Sequence, residues 1–103
     1  MTKEKIITVI IKEPHQRPII KQIENSLHTL NKIVGGYIEY VAMTDTIGFF
    51  CNEEGKLMEL EPNFQLMSGD IVCGTCIFFR NGEDGETEGL NIHDVKLVQN
   101  WFR

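Results

Sequence analysis

The sequence contains 103 residues, enough chain for one hydrophobic core but too little for two independent ones. With 42% apolar residues, 9 glycines and 3 prolines, the composition is that of a globular protein and argues against a disordered chain. The net charge is −5, and residues 51–103 carry four Lys/Arg against ten Asp/Glu. This balance disfavours direct nucleic-acid binding through a basic face.

The N-terminal region contains one short apolar run, Ile6 to Ile11, with Thr8 inside it. Six residues are too few for the hydrophobic region of a signal peptide and far too few to span a membrane. We therefore expect a cytoplasmic protein without a membrane segment. Three cysteines, an odd number in a chain without an export signal, are interpreted as reduced thiols.

The first third of the chain predicts two strands and a helix. Lys5 to Lys12 is rich in β-branched residues, which indicates a central strand buried on both faces. Ile19 to Glu24 fits both helical and strand spacing. Asn25 is a favourable N-cap and Gly35-Gly36 a favourable stop, which predicts a helix over residues 26–34. Ile19 to Glu24 is then a short strand beside the first.

The middle of the chain has three strand-like stretches, Tyr37 to Met43, Ile47 to Asn52 and Ile71 to Arg80. A type I turn with a bulge at Gly55 is expected to return Lys56 to Met58 against the preceding strand. Pro62-Asn63 marks a loop, with Leu60, Phe64 and Leu66 expected to anchor it to the core.

The last third of the chain predicts an exposed loop and a helix. Residues 83–89 are glycine-containing and acidic, which is typical of a mobile loop. Asn91 then caps a helix over residues 92–102, with Asp94 three residues further on as in a capping box. The apolar stripe of this helix consists of Ile92, Val95, Val98 and Trp101.

These elements predict one domain over residues 1–103. Strands joined by short turns must pair antiparallel, and two amphipathic helices on one face of the sheet would close the core. The predicted fold class is therefore α+β, with a mainly antiparallel sheet of about five strands and two short helices, 26–34 and 92–102.

The pair Cys73 and Cys76 matches a Cys-x-x-Cys motif, which can hold a metal or cycle between dithiol and disulfide. The redox role needs the first cysteine at a helix N-terminus, whereas these lie in a predicted strand. Zinc needs two more ligands, and Cys51 and the three histidines lie at unsuitable spacing. The favoured interpretation is that the cysteines are small buried hydrophobic residues, with metal binding as an alternative.

Adjacent aromatic residues raise the question of what covers the sheet. Phe49-Phe50 and Phe78-Phe79 must each point to opposite faces of a strand. Either both faces are covered, or one ring of each pair is left for a partner, which would indicate a homo-oligomer or a ligand surface.

Several segments occur in an order that resembles a known family. They are Glu13-Pro14, Ile23 to Leu27, Val34-Gly-Gly-Tyr-Ile-Glu39, Cys51-Asn-Glu-Glu-Gly-Lys-Leu57, Pro62-Asn63, Asp70-Ile-Val and Gly74-Thr75. This order is similar to an uncharacterised family of short proteins, a domain of unknown function common in phages, prophages, plasmids and conjugative elements of Gram-positive bacteria. The resemblance covers most of the chain and implies a biological setting, but it supplies no catalytic residues. The cysteines do not belong to the pattern.

The function that we expect is non-catalytic binding, because no nucleophile, base and oxyanion site can be assembled from these residues. No cofactor is expected. One hypothesis is recognition of a protein partner, and the other is capture of a nucleotide-type signal of host defence. Capture needs cationic and stacking side chains in a pocket. The available candidates are Arg17, Lys21, Arg80, Trp101, Phe102 and Arg103.

Overall fold

The computed structural model describes residues 5–103. The strands are β1 (Ile6–Lys12), β2 (Ile19–Glu24), β3 (Ile38–Ala42), β4 (Ile47–Asn52), β5 (Pro62–Gln65), β6 (Ile71–Cys73), β7 (Cys76–Asn81) and β8 (Thr87–Glu88). The helices are α1 (Leu27–Val34) and α2 (Ile92–Trp101), and one 3₁₀ turn spans Glu83–Gly85. The predicted α+β class is confirmed.

The main sheet has the strand order β2-β1-β7-β4-β3, and β8 pairs with the end of β7. A separate two-stranded sheet consists of β5 and β6. Every strand pairing among the described residues is antiparallel. Strand β1 lies between β2 and β7, which confirms the predicted central position of the first strand and its pairing with Ile19–Glu24.

The two helices cover opposite faces of the main sheet, so the prediction that they share one face is wrong. Leu30 and Val34 of α1 pack on the face that carries Phe50 and Phe79, which we call the α1 face. The other face, called the α2 face, carries Phe49 and Phe78 and is covered by α2 and the β5–β6 hairpin. The reason is the alternation of side chains along a strand, which places large rings on both faces of β4 and β7.

The four phenylalanine rings of β4 and β7 are all buried within one chain. Phe50 and Phe79 stack with centroids 4.2 Å apart, and Phe49 and Phe78 lie 5.2 Å apart on the opposite face. No ring of either pair is left for a partner, so this argument for a homo-oligomer does not hold. A homo-oligomer stays a prediction.

Helix α1 begins at Leu27 and its N-cap is Ser26, so the predicted cap at Asn25 and start at residue 26 are wrong by one residue. The backbone N–H of Asn25 donates to Lys5 O (2.7 Å) and thereby continues the β1–β2 ladder, which leaves Ser26 to accept from the amide of Thr29. Gly35 ends the helix in the left-handed conformation, as predicted.

The predicted strand over Ile71 to Arg80 is two strands in different sheets. Gly74, at φ +90°, turns the chain between β6 and β7. Strand β6 pairs with β5, so Pro62-Asn63 begins a strand and the loop prediction is wrong there. Phe64 and Leu66 pack against the core of the α2 face, as predicted, whereas Leu60, the third predicted anchor, is half-buried beside Gly74 and lies outside that cluster.

Asn63 joins the β5–β6 hairpin to the main sheet. Its amide group donates to Lys12 O (2.7 Å) and to Gly74 O (2.8 Å), and its carbonyl oxygen accepts from Lys12 Nζ (2.9 Å). The Lys12 ammonium also lies 5.5 Å from the centre of the Phe102 ring. These bonds hold the hairpin over the α2 face.

Helix α2 has the predicted cap at Asn91 with Asp94 completing a capping box, and it ends at Trp101, one residue before the predicted end. Val95 and Val98 are buried, but Ile92 is 62% exposed, because it lies on the flank of the helix. The region predicted as a loop over 83–89 contains the 3₁₀ turn and β8. Within residues 5–103, no helix has the length and hydropathy needed to cross a membrane.

Candidate functional site

A groove of about 280 Å³ opens on the α2 face between strand β3 and the β5–β6 hairpin. We call it the acidic groove. It is lined by Glu39 and Val41 of β3, residues 51–57, Leu66, and residues 70–73. Residues 53–59 form consecutive turns that close one side of the groove, so the prediction that Lys56 to Met58 returns against the preceding strand is wrong.

Asn52 fixes the position of these turns. Its buried side chain donates to Val34 O (3.2 Å) at the end of α1 and accepts from the amide of Glu54 (2.8 Å). The amide of Glu53 donates to Tyr37 O (2.9 Å), which extends the β3–β4 ladder by one pair. The end of α1 and the wall of the groove therefore depend on the same side chain.

Two glycines allow close approach of the backbone at this junction. A Cβ on Gly36 would lie 2.7 Å from Asn52 Nδ2, and one on Gly55 would lie 2.7 Å from Cys73 O. Both distances are shorter than van der Waals contact. The segment 34–39 thus packs against Asn52, and the segment 51–57 packs against β6, beside the groove.

The groove carries an excess of negative charge. Lys56 and Asp70 form an ion pair at the surface, where the Lys56 ammonium lowers the pKa of Asp70 and Asp70 raises the pKa of Lys56. The carboxylates of Glu39, Glu53 and Glu54 are in none of the ion pairs found among residues 5–103. Three negative charges of the groove are therefore left for a partner of opposite charge.

Apolar side chains are exposed beside these carboxylates. Leu57 is 83% exposed and Ile71 is 44% exposed, and both line the groove. Met58 and Met67, on the adjoining turns, are also exposed. Apolar side chains gathered around a concave surface are typical of a docking site.

Cys51 and Cys73 line the groove, but only Cys73 is partly accessible. Burial raises the pKa of Cys51 to about 11, and the charges of Glu39 and Asp70 add to this effect. Burial also raises the pKa of Cys76 well above its usual range. The thiols of Cys51 and Cys76 are therefore protonated at neutral pH, and a protonated thiol is a poor nucleophile.

The alternative of a metal site at Cys73 and Cys76 is not supported. Among residues 5–103, no group of three or more His, Cys, Asp or Glu side chains is arranged to hold a metal ion. The physical reason lies at Gly74, because the turn there puts Cys73 on β6 at the groove and Cys76 on β7 in the core. The pair matches the motif in sequence alone.

The side chains predicted for nucleotide capture lie in different parts of the molecule. Arg17 is exposed in the β1–β2 loop and Lys21 is exposed on β2. Arg80 donates to both carboxylate oxygens of Asp94 (2.8 and 3.0 Å), so its charge is already paired. Arg103 is exposed beyond the end of α2.

The two aromatic candidates are part of the core of the α2 face. Trp101 lies 6.1 Å from the Phe78 ring, and Phe102 packs edge-on against Phe64 and Phe78. Neither side chain lines the acidic groove. The predicted ligand residues are not brought together, and their role in binding stays a prediction.

The groove residues were visible in the sequence only as separate signals. The segment 51–57 and Ile71 occur among the segments that carry the family resemblance, but nothing in the sequence indicated that the side chains of Leu57 and Ile71 are exposed. Their proximity depends on the β5–β6 hairpin, which the sequence predicted as a loop followed by one long strand.

The family is shown by comparison with known proteins. A family model described as a domain of unknown function (DUF3846) matches residues 7–103. No curated protein and no solved structure was found to match the chain. The resemblance to an uncharacterised family is confirmed, and its association with phages and mobile elements stays a prediction. Because the match covers nearly all of the sequence, the chain belongs to the DUF3846 family of domains of unknown function.

Proposed function

We propose that this protein binds another protein through the acidic groove, and that the bound segment is extended and carries both basic and apolar side chains. The observation that carries the proposal is the combination of unpaired carboxylates with exposed apolar side chains in one concave surface. Glu39, Glu53 and Glu54 supply the charge, and Leu57 and Ile71 supply the apolar contact.

Charge complementarity favours a basic partner. Carboxylates without a partner attract Lys and Arg side chains, and complementary charge speeds encounter and selects against acidic segments. The apolar side chains add contact area that excludes water from these charges. Either feature alone is common on protein surfaces, but together they indicate a specific class of partner.

Among residues 5–103 no strand pairs with the outer side of β3, and this edge supports an extended conformation of the bound segment. The amide of Glu53 donates to Tyr37 O and that of Met43 to Ile47 O, so hydrogen bonds to β4 fall at odd-numbered positions of β3. The backbone groups of Ile38, Tyr40 and Ala42 therefore point outward, but the Ile38 amide already donates to Asn31 Oδ1 (3.1 Å), which leaves those of Tyr40 and Ala42 for a partner. A segment added at this edge would form main-chain hydrogen bonds while its side chains reach Glu39 and Val41 in the groove.

We further propose a biological setting for this protein. The family resemblance suggests a protein of a phage or mobile element, and such a protein would meet its partner in the bacterial cytoplasm. The three free thiols support a reducing compartment.

The test is selection of peptides from a displayed random library on the immobilised protein. We expect selected peptides to be enriched in Lys and Arg alternating with apolar residues, and their affinity to fall with added salt. The variant Glu39→Lys/Glu53→Lys/Glu54→Lys should bind them at least about tenfold more weakly, which corresponds to the loss of a few surface charge pairs.

The matched control is Glu83→Lys/Asp84→Lys/Glu86→Lys, which makes the same change of charge at the opposite end of β4 and β7. It should leave peptide binding nearly unchanged. Selected peptides without basic residues, or equal losses in both variants, would contradict the proposal. Cyclic or linear nucleotides that raise the melting temperature, with no peptide bound, would favour nucleotide capture instead.

A further inference from the structure

Strand β2 forms the other edge of the main sheet, and within residues 5–103 no strand pairs with its outer side. The amide of Asn25 donates to Lys5 O, so the hydrogen bonds to β1 fall at odd-numbered positions of β2. The N–H and C=O groups of Ile20, Gln22 and Glu24 consequently point away from β1. They form a row of backbone groups available to another strand, except that Glu24 O already accepts from the Ser26 amide (3.0 Å).

This edge has little of the protection that isolated edge strands usually carry. It contains no proline, its pairing with β1 has no bulge, and its one central charge is Lys21. Ile19 and Ile20 are 52% and 49% exposed, on opposite faces of the strand. A regular, partly apolar edge of six residues is a surface on which a further strand can pair.

We propose that β2 pairs antiparallel with β2 of a second copy of this chain, with Gln22 facing Gln22 of the second copy on the two-fold axis. Ile20 then lies opposite Glu24 of the second copy, and Glu24 lies opposite Ile20 of the second copy. The outward backbone groups of these residues and of Gln22 meet across the contact. This register forms about four main-chain hydrogen bonds at groups without a partner, and about two more at Glu24 O, which would be shared with the Ser26 amide. The pairing joins the two main sheets into one.

Charge and backbone chemistry disfavour one of the two neighbouring registers. Sliding the second strand by two residues in one direction would place Lys21 directly against Lys21 and would set Glu24 opposite Pro18, which has no N–H. In the register centred on Gln22, Lys21 instead faces the apolar Ile23 of the second copy. No like charges lie directly opposite one another.

Charge also favours β2 over β3 as the edge for self-pairing. Strand β2 has one basic and one acidic residue, Lys21 and Glu24. The edge at β3 adjoins Glu39, Glu53 and Glu54, and a symmetric contact would bring two such acidic groups together. The two edges therefore suit different partners, and this inference does not depend on the proposed function of the groove.

The test compares Ile20→Glu with Ile20→Lys by sedimentation equilibrium. Position 20 faces Glu24 of the second copy, so Ile20→Glu creates two like-charge pairs and should weaken the dimer at least about tenfold. Ile20→Lys creates two opposite-charge pairs and should retain it. Both variants lose the same apolar contact, so loss of apolar area alone would weaken both equally. Circular dichroism checks that both remain folded.

A cross-link tests the position of the two-fold axis. Facing residues that exchange hydrogen bonds lie about 5.5 Å apart at Cα, within the range of a disulfide. Gln22→Cys should therefore form a disulfide-linked dimer on mild oxidation, whereas Lys21→Cys should not, because its equivalent lies diagonally at about 7–8 Å.

Three results would overturn the inference: a monomer at every concentration at which the protein is soluble, equal weakening by both substitutions at position 20, or equal cross-linking at positions 21 and 22. Failure here is distinguishable from failure of the proposed function, because a monomer with an intact groove would still select basic peptides.

Discussion

At the scale of single residues, the three cysteines show how strongly position determines thiol chemistry. Cys76 is fully buried in the core of the α2 face, Cys51 is buried beneath the groove, and Cys73 is partly accessible. Because the nucleophile is the thiolate, burial that raises the pKa of Cys51 to about 11 makes this thiol unreactive at neutral pH.

We predict that one thiol per folded chain reacts rapidly with Ellman's reagent at about pH 8. This thiol is Cys73, and Cys51 and Cys76 should react only as the protein opens. Absorbance at 412 nm (the thionitrobenzoate product) counts the reacted thiols. Cys73→Ser should remove the rapid phase and Cys51→Ala should leave it. Two or three rapidly reacting thiols would contradict the buried positions.

The N-cap of α1 illustrates which residue-scale predictions sequence can support. Asn25 and Ser26 are adjacent and both are good capping residues. The choice between them depends on Lys5, twenty residues away, whose carbonyl oxygen accepts from the Asn25 amide and keeps that residue in the β1–β2 ladder. Local propensity predicted the helix correctly and its first residue incorrectly.

At the scale of secondary-structure elements, Asp94 attaches α2 to the sheet. Its side chain is 8% exposed, accepts two hydrogen bonds from Arg80 of β7, and accepts from the Asn91 amide in the capping box. One carboxylate thus satisfies the helix N-terminus and pairs a cation on the neighbouring strand. A buried charged group stabilises the fold only while its oppositely charged partner is present.

We predict that Asp94→Ala lowers the free energy of unfolding by about 3 kcal/mol, because it removes a capping bond and leaves Arg80 without its partner. Urea denaturation measures the change. Lys96→Ala, on the exposed side of the same helix, should alter stability by no more than about 0.5 kcal/mol. A loss below about 1 kcal/mol for Asp94→Ala would show that the pair contributes little.

Strand β7 shows where an element-scale prediction fails. The residues from Ile71 to Arg80 are suited to one strand by their β-branched and aromatic side chains, and Gly74 interrupts them. The left-handed conformation at Gly74 instead directs β6 to a different sheet. Asn63, which bonds to Gly74 O and Lys12 O, holds this arrangement from outside the segment.

At the scale of the whole molecule, the main sheet separates two hydrophobic clusters and contributes side chains to both. Ile77 and Phe79 belong to the cluster under α1, and Cys76 and Phe78 belong to the cluster under α2. The same strand therefore contributes to both faces, and neither cluster can lose its packing without disturbing the other.

We predict that the protein unfolds in a single cooperative transition. Far-ultraviolet circular dichroism follows the sheet and helices, and fluorescence of Trp101 follows packing on the α2 face, so the two thermal curves should coincide. Separate midpoints would show that the helices and hairpin on one face unfold independently of the sheet, and would contradict a single domain.

The sequence by itself determined the α+β class, the antiparallel pairing, the central position of β1 and the approximate bounds of both helices, because periodicity and caps are local properties. The tertiary structure alone decided that the helices lie on opposite faces, that Ile71 to Arg80 divides between two sheets, and that Glu39, Glu53 and Ile71 meet in one groove. These features depend on contacts between distant segments, whose free energy exceeds the local preferences of any one of them.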